Sequence, residues 1–593
     1  MMTASARRAL RAVLAGGLTA AALVWPAGAQ AQAVAAATVS VDFTKPVHTI
    51  SPADIGVSIT GYGEGSYITN DTRHREHVRR LGVGRMRIEL HYQTPGDHSS
   101  PIVCGGYRCA TEVSGDAWID VIRDLGAEPV VILQVDGRQS AEVNRDDAVA
   151  LHRHFAASGK PIQRFILGNE LNCSCTPDKP QMTATEYSRR FNLIADALRA
   201  ENASVAIGGP ATSSNDHDYI RTFLQGSGAR VSFVDYHDYG NGFDPITDDA
   251  LLGDVIRDYE TDIEAVRATV RSVLGHDLPI QIGEFNSDYD DPDGHRTLTH
   301  FNTLWGAAAL GQMLHAGASA FQYGDKNGRL GLTSTKGEGG IARSEPLPMY
   351  HGIGMYTGEG LFRPFGTTVV QASASTAKLH VFASDHARNV VLVNVGDEPL
   401  ETALTLTGAA NGTAAIWQST SDAWTPHRTG TATISGGRAT VTLPAGSATT
   451  LVLDEQGLSA TYFDNADLTG ASVTRVDPTV NFDWGSASPD PAIGADTFSA
   501  RWSGKVVADK AETYTFITTS DDGVRLWVDG RLLIDAWSDH SKREDTAAIA
   551  LSAGSHDLRM EFYDGGYDAI AELRWTSPSI PREIIPADRL RTG

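Results

Sequence analysis

Positive charge is what this chain has least of. Its 49 lysines and arginines face 72 aspartates and glutamates, a net charge of −23 over 593 residues. A nucleic-acid partner would want a basic stripe, so that class is set aside. The acidic surface says little about a neutral ligand and mostly serves solubility. Long apolar runs are missing too. Beyond residue 33 none is long enough to anchor the chain in a membrane. Cysteine is scarce, four in all: Cys104, Cys109, Cys173 and Cys175. Their C-x4-C and C-x-C spacings are poor for structural zinc. An even count in an exported chain favours disulfides, with three connectivities open. No G-x-G-x-x-G follows the first strand, which leaves a dinucleotide site unsupported.

What is present begins with an export signal over residues 1–33. Arg7, Arg8 and Arg11 form a basic start, and Ala12 to Val24 is apolar but too short to span a bilayer. Ala29-Gln30-Ala31 and Ala31-Gln32-Ala33 offer small-residue cleavage sites, so the mature protein is expected to be secreted. The length suits roughly three or four domains. Hydrophobic residues at 41% are enough for real cores, and 59 glycines fit a fold with many turns.

From Ser51 to about residue 360 the pattern alternates helix and short buried strand. Strands are expected at Asp54–Thr60, Val83–Leu90, Pro129–Val135, Arg164–Gly168, Val205–Gly209, Val231–Asp238, Leu278–Asn286 and Ala318–Tyr323. Helices fall between them. Eight such strands over this span suit a closed (β/α)8 TIM barrel, with an open doubly wound sheet as the alternative. In the second strand Met86 and Ile88 alternate with Arg85, Arg87 and Glu89, so the polar set should point into the barrel. Residues 361–455 lose helical periodicity and read as a β-sandwich. The strand within 34–50 precedes the barrel, has no helix after it, and is expected to join that sandwich. Residues 456–593 are all β, a small barrel with turns at Asp521-Gly523 and Asp529-Gly530. The fold class is therefore multidomain α/β plus all-β.

Two stretches carry the chemistry. QRFILGNELN (Gln163–Asn172) and LPIQIGEFN (Leu278–Asn286) each run an apolar strand into one carboxylate, Glu170 and Glu284. Barrel active sites form at the C-terminal ends of the strands. Two carboxylates delivered there are what acid/base cleavage of a glycosidic bond needs. Asn169, Arg87, His237 and Tyr239 fall at or near such ends. Gln134, Asp136 and Tyr323 are expected to line the pocket. If the cysteines sit in the loops after the second and fourth strands, both pairs crowd one rim and would stiffen the pocket wall. The acidic loop Asp288–Asp293 reads as a solvated loop, with calcium as the rival.

Gly168-Asn169-Glu170 followed by Gly283-Glu284-Phe285 resembles the retaining glycosidases of clan A. With the sandwich, the resemblance points to families 39, 51, 30 and 79, family 39 being closest. It implies Glu284 as nucleophile and Glu170 as acid/base, in environments that hold their pKa values apart. It further implies Asn169 on the sugar 2-hydroxyl, and Arg87 with either His237 or Tyr239 beside the nucleophile. The eighth strand departs from the clan pattern: Phe321, Gln322 and Tyr323, then Asp325, stand where many members have Trp. The final unit resembles the protective-antigen-type (PA14) module, most specifically over SDDGVRLWVDG. In some adhesins of that type two adjacent aspartates bind calcium and a glycan, and Asp521-Asp522 stand at that place. The expected partner is an oligo- or polysaccharide, of xyloside or arabinoside type, with no cofactor required. The rival is a non-catalytic carbohydrate-binding adhesin; an inverting hydrolase is a third option.

Overall fold

The computed structural model describes residues 35–60, 68–92, 103–105, 113–135, 137–174, 181–242, 246–385, 388–409, 411–453 and 457–592. Residues 1–33, Cys109, Asp136 and Cys175 lie outside them.

Eight parallel strands close into a barrel: β1 (Ile55–Ser58), β2 (Arg85–Tyr92), β3 (Glu128–Leu133), β4 (Arg164–Leu167), β5 (Ala206–Thr212), β6 (Phe233–His237), β7 (Ile280–Phe285) and β8 (Ala318–Gln322). Closure is explicit in the register. Ala320 of β8 pairs with Ile55, and on the other side Gly56 pairs with Arg85 of β2. Helices cover the outside: α1 (Thr72–Leu81), α2 (Gly115–Asp124), α3 (Ala141–Ala157), α4 (Ala184–Glu201), α5 (His217–Ser227), α6 (Asp248–Leu252), α7 (Asp254–Leu274), α8 (His300–His315) and α9 (Pro348–Thr357). Asp71, Ser114, Ser140, Thr183 and Asp216 each cap the helix that follows by accepting a backbone N–H, which satisfies a donor the helix leaves unpaired.

The barrel is packed, not hollow. Val130, Ile132, Ile166, Ala211, Phe233 and Phe321 form a buried cluster inside it. Two aromatic rings fill space that glycines leave open. A Cβ on Gly56 would meet the Phe321 ring at 2.5 Å, and one on Gly208 the Phe233 ring at 2.1 Å. Met86 and Ile88 belong to the outer layer shared with the helices. Above the inner plug the strand ends turn polar, and the site is built there.

The β-sandwich is a nine-stranded path. The strand Ala35–Thr49 sits within it, antiparallel to Thr368–Ala374 and parallel to Leu400–Thr407. From Leu458 a third, all-β unit forms its own core, with Tyr462, Trp502, Tyr514, Phe516, Phe562 and Trp575 buried in it. Its hairpin Val524–Val528/Arg531–Ala536 turns at Asp529 and Gly530, both at positive φ, as a tight two-residue turn between twisted strands requires. No described helix is long and apolar enough to cross a membrane.

Candidate active site

β4 ends at Leu167, and the chain turns at once. Gly168 has φ 79° and Glu170 φ 50°. The turn is clamped from both sides: Gly168 N donates to Leu133 O of β3 at 2.8 Å, and Glu170 N to Ala211 O of β5 at 2.7 Å. β7 carries Glu284 within its final turn of strand, with Asp238 N donating to Glu284 O at 2.9 Å. The two carboxylates therefore arrive at one mouth of the barrel, from strands with β5 and β6 between them.

Arg87 on β2 organises what lies between them. It is 1% exposed. Nη1 donates to Glu284 Oε1 at 2.5 Å, and Nη2 to Asn169 Oδ1 at 2.5 Å. Nη2 also stands 3.0 Å from His237 Nε2. Burial pulls the guanidinium pKa down, but the Glu284 charge and its hydrogen bond oppose it and the net shift is upward. Tyr239 OH donates to the other oxygen of Glu284, Oε2, at 2.8 Å. Burial, then the Glu284 charge, hold that phenol well above its ordinary pKa, so it stays a donor. Ser58 Oγ joins Arg87 Nη1 at 3.4 Å to Gly283 O at 3.3 Å.

His237 faces both acids. Nδ1 lies 2.8 Å from Glu170 Oε1 and 3.5 Å from Glu284 Oε2. Glu170, His237 and Glu284 bring one ligand atom each within 4.8 Å of one another. Such a trio could hold a metal, and Arg87 argues against it. A guanidinium only donates, so Nε2 must accept and Nδ1 must carry the proton, pointing at Glu170. A metal on Nδ1 would put the ring proton on Nε2, facing the guanidinium. Burial lowers the basicity of the ring, Glu284 and Glu170 raise it, and the raising wins; protonation at Nε2 must then displace Arg87.

The remaining expected residues fall into two groups. Tyr323 meets Tyr239 edge to face, ring centroids 5.9 Å apart, and so belongs to the site. Gln134 directly follows β3. It hydrogen-bonds His91 at 2.9 Å and lines a cavity of about 20 Å³ with Leu90, Asn144 and Asp147. Of the eighth-strand residues, Phe321 is part of the barrel plug, Gln322 donates to Leu330 O at 2.8 Å, and Asp325 is buried against His74 at 3.1 Å. Neither Cys104 nor Cys173 is a free thiol. In the acidic loop, Asp291 accepts from Arg296 N and from Thr297 N and Oγ1, while Asp288 holds Asn241 and Arg296. Those two carboxylates are buried and taken, so the loop is not simply solvated. Asp522 accepts from His540 N and Gly565 N, and Asp521 from Lys542 N. Among the described residues no third carboxylate or imidazole completes a metal-binding group with them. Sequence reasoning did not single out Ser58, Asp235 or Gln281. Asp235 had a signal, a charge inside an apolar strand two residues before His237; Ser58 had none.

Residues 454–589 match the PA14 domain family. Over this region the chain is similar to anti-sigma-I factor RsgI3 of Acetivibrio thermocellus, 49% identical over 135 residues, 23% of this chain and 21% of that one. It is also similar to protective antigen of Bacillus anthracis, 26% identical over 144 residues, 23% of this chain and 18% of that one. The chain thus spans about a fifth of the length of these relatives. Over 70% of its length the chain shares its fold with all of an alpha-L-arabinofuranosidase from Thermotoga maritima, TM-score 0.54 at 16% identity.

Proposed function

We propose that the protein is an exported retaining glycosidase of the clan A type, nearest by its motifs to family 39, acting on xyloside- or arabinoside-type wall glycans. One observation carries the reading: one carboxylate oxygen of Glu170 and one of Glu284 lie within 4.8 Å of each other across the mouth of a closed barrel. Retaining enzymes hold their pair roughly 5–5.5 Å apart, inverting ones roughly 6.5–9.5 Å, to leave room for a water. In this scheme Glu284, steered by Arg87 and Tyr239, attacks the anomeric carbon while Glu170 gives its proton to the leaving oxygen. Water then hydrolyses the glycosyl-enzyme with Glu170 as base. His237 Nδ1–H orients Glu170, and Asn169, held by Arg87, presents its amide to the sugar. No cofactor takes part; calcium at Asp521-Asp522 is a separate proposal for the C-terminal module.

The test uses aryl glycosides. Glu284→Ala and Glu170→Ala should each lower kcat by roughly 10³-fold or more. Azide should rescue the former and give a product of inverted anomeric configuration. Full turnover by either variant overturns the assignment. Glycan binding by wild type without turnover of any nitrophenyl glycoside in a panel favours the adhesin.

A further inference from the structure

Next to the two glutamates lies an acid that this mechanism leaves without a role. Asp235 stands in β6 two residues before His237, so strand alternation sends both side chains into the barrel. It is fully buried. Oδ2 accepts from the Gln281 amide of β7, whose Oε1 in turn accepts from Arg164 Nη2 of β4 at 3.2 Å. Oδ1 has no hydrogen-bond partner among the described residues and lies 4.0 Å from His237 Nε2. A Cβ added to Gly283 would come within 2.5 Å of that same oxygen. The carboxyl thus fills the space where the residue before Glu284 would carry a side chain, against the Arg87–His237–Glu284 contacts. The charged and titratable groups that act on it are Arg87 on β2, Arg164 on β4, His237 on β6, Glu284 on β7 and Tyr187 on α4.

We propose that Asp235 is a positioning residue that works as a neutral carboxylic acid, filling the floor of the site and leaving the Arg87 charge undivided for Glu284. The proposal rests on the reading of Glu284 as nucleophile. An ionised carboxylate with one amide donor and one bare oxygen is costly in a dry interior. Burial, opposed by Arg87 and His237, raises the Asp235 pKa on balance. Were it ionised, two anions would share one guanidinium. Its charge would also draw a proton onto His237 Nε2, the atom that accepts from Arg87. Either change loosens the contacts that aim Glu284.

Asp235→Asn and Asp235→Ala separate charge from shape. The amide should keep kcat/KM within about threefold and leave the acid limb of its pH profile in place, because no charge has been removed. The alanine should lower kcat by about tenfold or more, because the floor is gone and Arg87 and His237 can tilt. A shift of the acid limb by about half a unit or more in Asp235→Asn overturns the neutral state. An alanine variant with wild-type kcat overturns the positioning role. An infrared readout is independent of turnover. Wild type at neutral pH should show a protonated carboxyl stretch that Asp235→Asn lacks; two superimposable spectra reject the proposal even if the glycosidase reading stands. Absent turnover by wild type together with that band rejects the glycosidase reading and keeps the neutral acid.

Discussion

One guanidinium with four acceptors, Ser58 Oγ among them, sets the geometry of the site. Arg87 reaches Glu284, Asn169 and His237 from two nitrogens, an arrangement an ammonium cannot reproduce. The sequence left open whether His237 or Tyr239 stands beside the nucleophile. The structure gives the nearer contact to Tyr239, on Glu284 Oε2, and turns His237 toward Glu170. The two residues are i and i+2 and share a direction, so spacing alone could not divide them. Tyr239→Phe removes one donor to a carboxylate whose other oxygen Arg87 still holds. Losing a hydrogen bond to a charged group is worth about 1.5–3 kcal/mol, so kcat should fall roughly 10- to 100-fold. The phenyl ring keeps the edge contact with Tyr323, so KM should stay within about threefold. Equal activity of the two proteins in steady-state assays would remove Tyr239 from the mechanism. Glu170 and Glu284 were legible as charges at the ends of apolar strands, and Arg87 as one of the charges that alternate with Met86 and Ile88 in its strand. Asp235 and Ser58 act through partners remote in sequence, Gly283 and Arg87, and no local pattern announces such partners.

At the scale of elements, period decided what could be read. The barrel strands and amphipathic helices show it. Helix α9 does not: every residue from Pro348 to Tyr356 is buried, so it has no polar face and no 3.6-residue alternation. The loop Asp288–Asp293 failed for a related reason. Its buried acids are satisfied by Asn241, Arg296 and Thr297, whose approach composition cannot reveal. The turn after β4 is the element on which the chemistry depends most. Gly168 at φ 79° lets the chain leave the strand, and a Cβ there would also press to 2.8 Å from Leu171 Cδ1. A left-handed conformation costs a residue with Cβ about 1–2 kcal/mol. Gly168→Ala should therefore lower the melting temperature. It should reduce kcat by about tenfold with a smaller change in KM, because Glu170 is displaced rather than lost. A variant that melts lower yet turns over normally would show that the turn is structural only.

At the scale of the molecule, the barrel and the sandwich share one core, while the C-terminal unit has its own. Val369, Phe382, Val391, Val393 and Ala448 belong to the same apolar cluster as Leu304, Leu310 and Met355 of α8 and α9. A Cβ on Gly311 would strike the Phe382 ring at 2.3 Å, which shows how closely the two layers approach. Calorimetry should resolve two transitions, the barrel with its sandwich and the C-terminal unit. His300 tests which is which. It opens α8, and its Nε2 lies 3.0 Å from Ser419 Oγ of the sandwich. That hydroxyl already donates to Trp424 O at 2.6 Å, so the ring must donate, and a second ring proton would be buried. Burial, with His351 nearby, lowers the His300 pKa from 6.5 to about 4. As pH falls through this window the unfolded chain takes the proton first. The stabilisation is therefore complete above 6.5 and lost on the way to about 4. His300→Gln keeps a donor for Ser419 and removes the titration. Between pH 7 and 5 the barrel–sandwich transition of wild type should drop by roughly 2–4 °C more than that of the variant. The C-terminal transition should not distinguish the two proteins, because His556, its pKa raised by Ser552 and Asp529 against burial, titrates alike in both. Equal pH dependence of the first transition would mean that His300 meets water in the folded protein and that the two layers part before the barrel melts.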